Sequence, residues 1–299
     1  LTPVLAQGED DAPPLLFMSM ATLGAACIAL GLMIARSAGA AEAAGNLQWA
    51  RLLVYAGFAL LLGVAPAPLW LPGVVRRAPT SGAALAAGLW PVVVFLTALR
   101  LIESEMPAAG WLTAGVDGQT IVAAGVVTVV LGALCALAQR DIRRLAGFLL
   151  VADLGYIIAG IGLGLVYDAS LYAITLTPLI GRALGVAVLL PALAFVTGGF
   201  RCSLRPALII MLACGAWMSL GGPLTVAFSL RGEILGLVIE EGGALAAALP
   251  AGAALLALAW LALVVRAWRL PLAETPRPCP RLALLIMAAV VVVSLVMQA

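Results

Sequence analysis

Asp153, Arg182, Arg231 and Glu233 are ionisable residues set inside long apolar runs of a 299-residue chain. A charge at bilayer depth costs roughly 2.5–3.5 kcal/mol even on lenient insertion scales, so such residues pair with one another or line a wetted path. Their types allow two kinds of chemistry. A carboxylate can take up and release a proton. Arginine, with a pKa above about 12, keeps its charge and can only hold a carboxylate or order water. The four residues therefore predict a buried Asp153–Arg182 pair, with Arg231 and Glu233 each near a break in their own helix. The pairing is either purely structural, or it is part of a proton path in which the two acids carry the proton and the arginines tune them.

The elements that hold these residues follow from composition. The chain is 64% hydrophobic and only 10% charged, with a mean hydropathy of +1.17. Soluble domains carry about 25% charged residues, so this chain cannot cover itself with a polar surface. Apolar stretches of about 20 residues recur along its length and predict an all-α, polytopic membrane protein. A β-barrel would show short alternating segments instead. There is no histidine and no lysine, so all 16 basic residues are arginine. Haem ligation and most zinc or copper sites lack their usual ligand, and neither a metal nor a cofactor is expected. The five cysteines are scattered without a CxxC pair and read as small packing residues. A net charge of +2 gives no electrostatic case for nucleic acid.

Nine spans are expected, at about 14–36, 50–72, 81–102, 119–138, 145–165, 169–196, 206–240, 245–268 and 281–298. The seventh is too long for one straight crossing and contains GGP at 221–223. It reads as two half-helices with a break, a device found where backbone lines a cavity. The sixth carries Pro178 and Pro191 and is expected to be irregular. With these spans, eleven of the arginines fall on the side of the N-terminus, three on the other side, and Arg182 and Arg231 within spans. The arginine-rich side is then the cytoplasmic or matrix side, and the C-terminus ends opposite. The dense RDIRR run at 140–144 becomes a loop anchored on that side. Residues 1–13 form a polar segment unlike a signal peptide.

Three stretches go beyond generic membrane sequence: GVAPAPLWLPGVVRRAPTSGAALAAG (63–88), QRDIRRLAGFLLVADLGY (139–156) and LGGPLTVAFSLRGEIL (220–235). In this order, with GGFR at 198–201, they resemble the antiporter-like subunits of respiratory complex I and of multisubunit cation/proton antiporters. The resemblance covers about residues 14–298. It implies a fold of two inverted repeats in which the nine spans are the sixth to fourteenth helices. Residues 14–118 would be a shortened first repeat, 119–270 the second repeat and 271–299 a last transmembrane helix. The family's first five helices, and the acid on the fifth, have no counterpart in this sequence. Pumping members are thought to relay protons through lysines, histidines and glutamates. By position, two of those lysines fall on Leu61 and Val92, an HxxxK pair falls on Pro178 and Arg182, and an exit lysine or glutamate falls on Arg231.

These substitutions imply a membrane-arm subunit of a complex I-like assembly, such as a quinone oxidoreductase, a membrane hydrogenase or an antiporter. It would be structural or coupling in role, with a degenerate proton path, and lodged among sister subunits in an energy-transducing membrane such as the bacterial inner membrane. The alternative is an active proton or cation translocator working through Asp153 and Glu233. A membrane enzyme acting on lipid or prenyl substrates fits worse. Such enzymes gather acids or histidines at one membrane face, and Glu103, Glu105 and Asp117 form no repeated motif.

Overall fold

A computed structural model describes residues 12–37, 43–64, 70–105, 118–166, 171–198, 205–223, 225, 228–241, 243–270 and 281–296. Among them, every regular element is helical. In chain order these are α1 (Ala12–Ser37), α2 (Ala43–Leu62), α3 (Trp70–Arg77) and α4 (Thr80–Ala84), which continues through a π-helical turn (Leu85–Leu89) into α5 (Trp90–Glu105). There follow α6 (Gly118–Ala138), α7 (Ile142–Val166), α8 (Leu171–Thr197), α9 (Arg205–Ser219), α10 (Phe228–Glu241), α11 (Gly243–Arg269) and α12 (Arg281–Val296). Helices are what an apolar solvent permits, since each satisfies its own backbone.

Six helical stretches among the described residues are long and apolar enough to cross a membrane: Leu15–Ser37, Thr80–Ile102, Gly118–Ala138, Ile142–Leu165, Thr175–Thr197 and Ala247–Arg269. The expected second and seventh spans are each divided in two, and the last is the short α12. The sixth corrects the expectation of irregularity, because α8 runs unbroken through Pro178 and Pro191. Most of the polar segment 1–13, together with Arg201, Arg277 and most of GGFR, lies outside the described residues.

The core is built around α7. In its apolar stretch 83% of residues are buried, against 11% in α1, so α7 is the central post and α1 is peripheral. Helices α6, α3, α8 and α11 all pack against α7, α6 most extensively. The RDIRR run ties this post to its neighbours at its N-terminal end. Asp141 Oδ1 accepts the backbone N–H of Arg143 at 2.9 Å and so caps the first turn of α7. Its Oδ2 meets Arg76 Nε of α3 at 2.9 Å, while Arg143 Nε donates to Thr197 Oγ1 of α8 at 3.1 Å. Arg266 of α11 donates to the carbonyl of Gln139. The run, with Gln139 just before it, therefore fastens four helices.

Where α2 stops, lipid offers no donor for its last carbonyls, and two indoles supply them. Trp70 Nε1 donates to Leu60 O at 3.0 Å and Trp90 Nε1 to Leu61 O at 2.8 Å. Phe17 of α1 packs edge-on against Trp90 and tilted against Trp70. These two tryptophans are thus internal fasteners, whereas Trp49 and Trp268 are exposed. Replacing Trp90 by phenylalanine keeps the ring contact and removes the donor. The expected loss is about 1 kcal/mol, visible as a lower unfolding temperature of the purified chain in detergent.

Candidate functional site

Asp153 lies eleven residues into α7, about 16 Å along a helix of about 37 Å, and is 0% exposed. Three chain segments deliver its partners. Helix α8 brings Arg182, 1% exposed, whose Nη1 donates to Asp153 Oδ2 at 2.7 Å and to the carbonyl of Leu150 at 2.7 Å. The π turn before α5 brings the carbonyl of Ala87, which accepts from Arg182 Nε at 3.2 Å. A π turn widens the helix and re-aims its backbone groups, which suits a carbonyl that serves a buried guanidinium.

The third segment is the broken helix. Helix α9 ends at Ser219, and Gly221 takes a φ of +60°, a conformation glycine adopts without steric cost. The backbone N–H of Gly221 reaches Met218 O at 3.1 Å and that of Gly222 reaches Trp217 O at 3.0 Å. Trp217 Nε1 donates to Pro223 O at 2.9 Å, and Thr225 Oγ1 to Gly222 O at 2.7 Å. The break is therefore a hydrogen-bonded turn, and it leaves the carbonyl of Ser219 free for another donor. Arg231, in the first turn of α10, takes it with Nη2 at 2.8 Å.

The same Nη2 of Arg231 bonds Asp153 Oδ1. One carboxylate is thus shared by two guanidinium groups, one on each oxygen, and the cluster carries a formal charge of +1. Its cation is spread further over an aromatic face, with Arg231 Cζ 4.8 Å from the centre of the Tyr156 ring. Arg182 Nη2 and Arg231 Nε find no acceptor in the cluster.

Of the four residues singled out by sequence, the structure brings together Asp153, Arg182 and Arg231 and leaves Glu233 out. Arg231 and Glu233 both stand near the start of α10, just after the break. Arg231 is buried and turned to Asp153, while Glu233 is exposed on the other side of α10. Leu61 and Val92 are partly buried apolar residues packed against the core. Sequence reasoning missed Tyr156, although it stands three residues after Asp153 and so on the same helix face. It also missed the three carbonyls, which leave no trace in residue types.

A carboxylate clamped on both oxygens is held in place, and losing either bond would leave a buried guanidinium without its counter-charge. The arrangement joins α7, α8, α10 and the π turn.

Comparison with known proteins agrees with this architecture. The family model described as "NADH:quinone oxidoreductase/Mrp antiporter, TM" matches residues 15–257. NADH-quinone oxidoreductase subunit N of Cereibacter sphaeroides is 30% identical over 265 residues, 85% of this chain and 58% of the relative. Subunit N of Chromohalobacter salexigens is 32% identical over 137 residues, 45% of this chain and 28% of the relative. The chain therefore covers less than two thirds of the length of these relatives. Among solved structures, a chain of respiratory complex I from Thermus thermophilus superposes with a TM-score of 0.76 at 21% identity, covering 98% of this chain and 68% of that one. A chain of the archaeal membrane-bound sulfane sulfur reductase gives 0.76 at 17% identity, covering 100% and 65%. At those identities the structural likeness is one of fold alone. The family match, running from α1 into α11 and taking in both divided helices and the clamped acid, shows that the chain belongs to the NADH:quinone oxidoreductase/Mrp antiporter transmembrane family.

Proposed function

We propose that this chain serves in the membrane arm of a complex I-like respiratory assembly as a structural or coupling element whose second-repeat proton path is closed. The observation that carries this reading is the clamp on Asp153. Asp153 is held on both oxygens by guanidinium groups, and positions 182 and 231, where the resemblance puts titratable relay residues, carry arginines that keep their charge. Subunit N relatives and folds taken from two respiratory complexes support the setting. The partners are sister antiporter-like and other membrane subunits, with the lipid bilayer around them. Residues 14–118 are read as part of a first repeat, 119–270 as the second repeat and 271–299 as a further transmembrane helix. The arginine distribution supports a bacterial inner membrane with the N-terminus cytoplasmic and the C-terminus opposite.

The test uses the whole assembly reconstituted in proteoliposomes, with the clamp replaced as a unit by Asp153→Leu, Arg182→Met and Arg231→Met so that no buried charge is orphaned. The expected result is an assembly that forms and pumps with the parent's proton-to-electron ratio. Electron transfer that continues while the ratio falls would instead establish translocation through Asp153. Adding Glu233→Gln extends the test to the second acid of that alternative.

A further inference from the structure

The buried cluster holds more cation than anion. Among the described buried residues Asp153 is the one acid, against Arg182 and Arg231, which are 1% and 8% exposed. Each guanidinium keeps one nitrogen that is sealed from solvent and meets no acceptor, Nη2 in Arg182 and Nε in Arg231. A third polar group beside them is in the same state. Ser219, whose carbonyl accepts from Arg231 Nη2 at 2.8 Å, has a buried hydroxyl with no partner. That hydroxyl lies against α8, since a Cβ added at Gly185 would stand 2.5 Å from it. Gly185 follows Arg182 by three residues and so shares its helix face.

These three groups have one need in common. Each offers a hydrogen to an acceptor, and a buried donor left without one costs free energy, most of all on a charged group. They are also drawn together by bonds already made. Asp153 ties the two guanidinium groups to each other, and the Ser219 carbonyl ties Arg231 to the end of α9. The surplus positive charge lies at a depth where a lone charge is costly. An acceptor that carries one negative charge meets both needs.

We infer that the junction of α8, the end of α9 and the start of α10 binds one monovalent anion of halide size, which accepts from Arg182 Nη2, Arg231 Nε and Ser219 Oγ. Charge selects this ligand. A water molecule accepts from the same donors but leaves the surplus charge in place. A divalent anion carries the cluster past neutrality. The halide acts as a buried counter-ion that pins the broken helix to α8. The inference stands on the geometry of the cluster and not on the chain's role in an assembly, so its failure and that of the proposed function are separate results.

The full chain, purified in a neutral detergent, is unfolded by heat in sodium chloride, sodium bromide and sodium gluconate at equal ionic strength. Gluconate is monovalent but far larger than a halide. The expected midpoint is about 3 °C or more higher in chloride and bromide, with a rise that levels off as the halide is increased. Dialysis against radioactive chloride then retains one ion per chain. Arg231→Met leaves Asp153 and Arg182 as a neutral pair, and it abolishes both the rise and the retained ion. The combined Asp153→Leu, Arg182→Met and Arg231→Met variant, with no buried charge to balance, behaves in the same way. Equal midpoints in the three salts without retained chloride overturn the inference, since water then serves the donors. A rise that persists in the combined variant also overturns it, because the halide then acts at the exposed arginines.

Discussion

Asp153→Ala is expected to be the most damaging single substitution in the membrane interior of this chain. It removes the one carboxylate between two buried guanidinium groups and leaves a formal charge of +2 with no anion beside it. Removing one partner of a buried ionic cluster lowers stability by about 3–5 kcal/mol, since the remaining charge keeps its desolvation penalty and loses its compensation. Arg231→Met is expected to do less, because Asp153 and Arg182 remain as a neutral pair with the Leu150 and Ala87 carbonyls still in place. The combined Asp153→Leu, Arg182→Met and Arg231→Met variant should regain most of the loss, because apolar groups of similar volume need no compensation in this setting. Chemical unfolding of the purified chain in mixed micelles, followed by helicity, measures all three against the parent. The order parent, triple variant, Arg231→Met, Asp153→Ala in falling stability is the expected one. An Asp153→Ala protein as stable as the parent would mean that water or another group already compensates the two arginines.

The ease with which this cluster was read from sequence differs from residue to residue, and the reasons are physical. Asp153 and Arg182 stood out because charged residues inside apolar runs are scarce and need a partner at like depth. The break at GGP was legible because consecutive Gly-Gly-Pro opposes helix continuation. That Glu233 stays outside the cluster was also legible in the sequence. Residues two apart on a helix point to nearly opposite faces, so Arg231 and Glu233 could not both join one cluster from the same regular segment. The π turn at Leu85–Leu89, which packs against α8 together with α4 and α5, was invisible because no residue type in LAAGL marks it. Carbonyl acceptors such as Ala87, Leu150 and Ser219 are silent for a similar reason, since every residue has one and only the fold decides which is aimed inward. The prolines of α8 misled in the other direction. A helix inside a bundle can run through proline when neighbouring groups and small local adjustments serve the freed backbone.

The clamp also depends on a contact that involves no charge, and Gly155→Leu is expected to show it. Gly155 lies on α7 against α6, and a Cβ there would stand 2.7 Å from both Gly125 O and Val129 N. Those are backbone atoms of a helix, which no rotamer change can move aside. The same closeness recurs along the seam, where a Cβ at Gly125 would meet Ala159 N at 2.4 Å, one at Gly132 would meet Ala152 Cβ at 2.8 Å, and one at Gly162 would meet Val122 N at 2.6 Å. In lipid no hydrophobic drive holds two helices together, so this close packing supplies much of what joins them. Leucine at 155 has to part α6 from α7 over several turns, and α7 then shifts against α8, which carries Arg182. The expected loss is about 1–3 kcal/mol from overpacking alone, with more where the shift loosens the bond from Arg182 to Asp153. Gly45→Leu on the exposed start of α2 is the control, since a Cβ there would meet nothing within 4 Å and leucine is the better helix former by nearly 1 kcal/mol. Unfolding midpoints measured side by side should move in opposite directions, Gly155→Leu down and Gly45→Leu level or up. Equal midpoints for the two variants would show that α6 and α7 have room to spare, and that the position of Asp153 is set by some other contact.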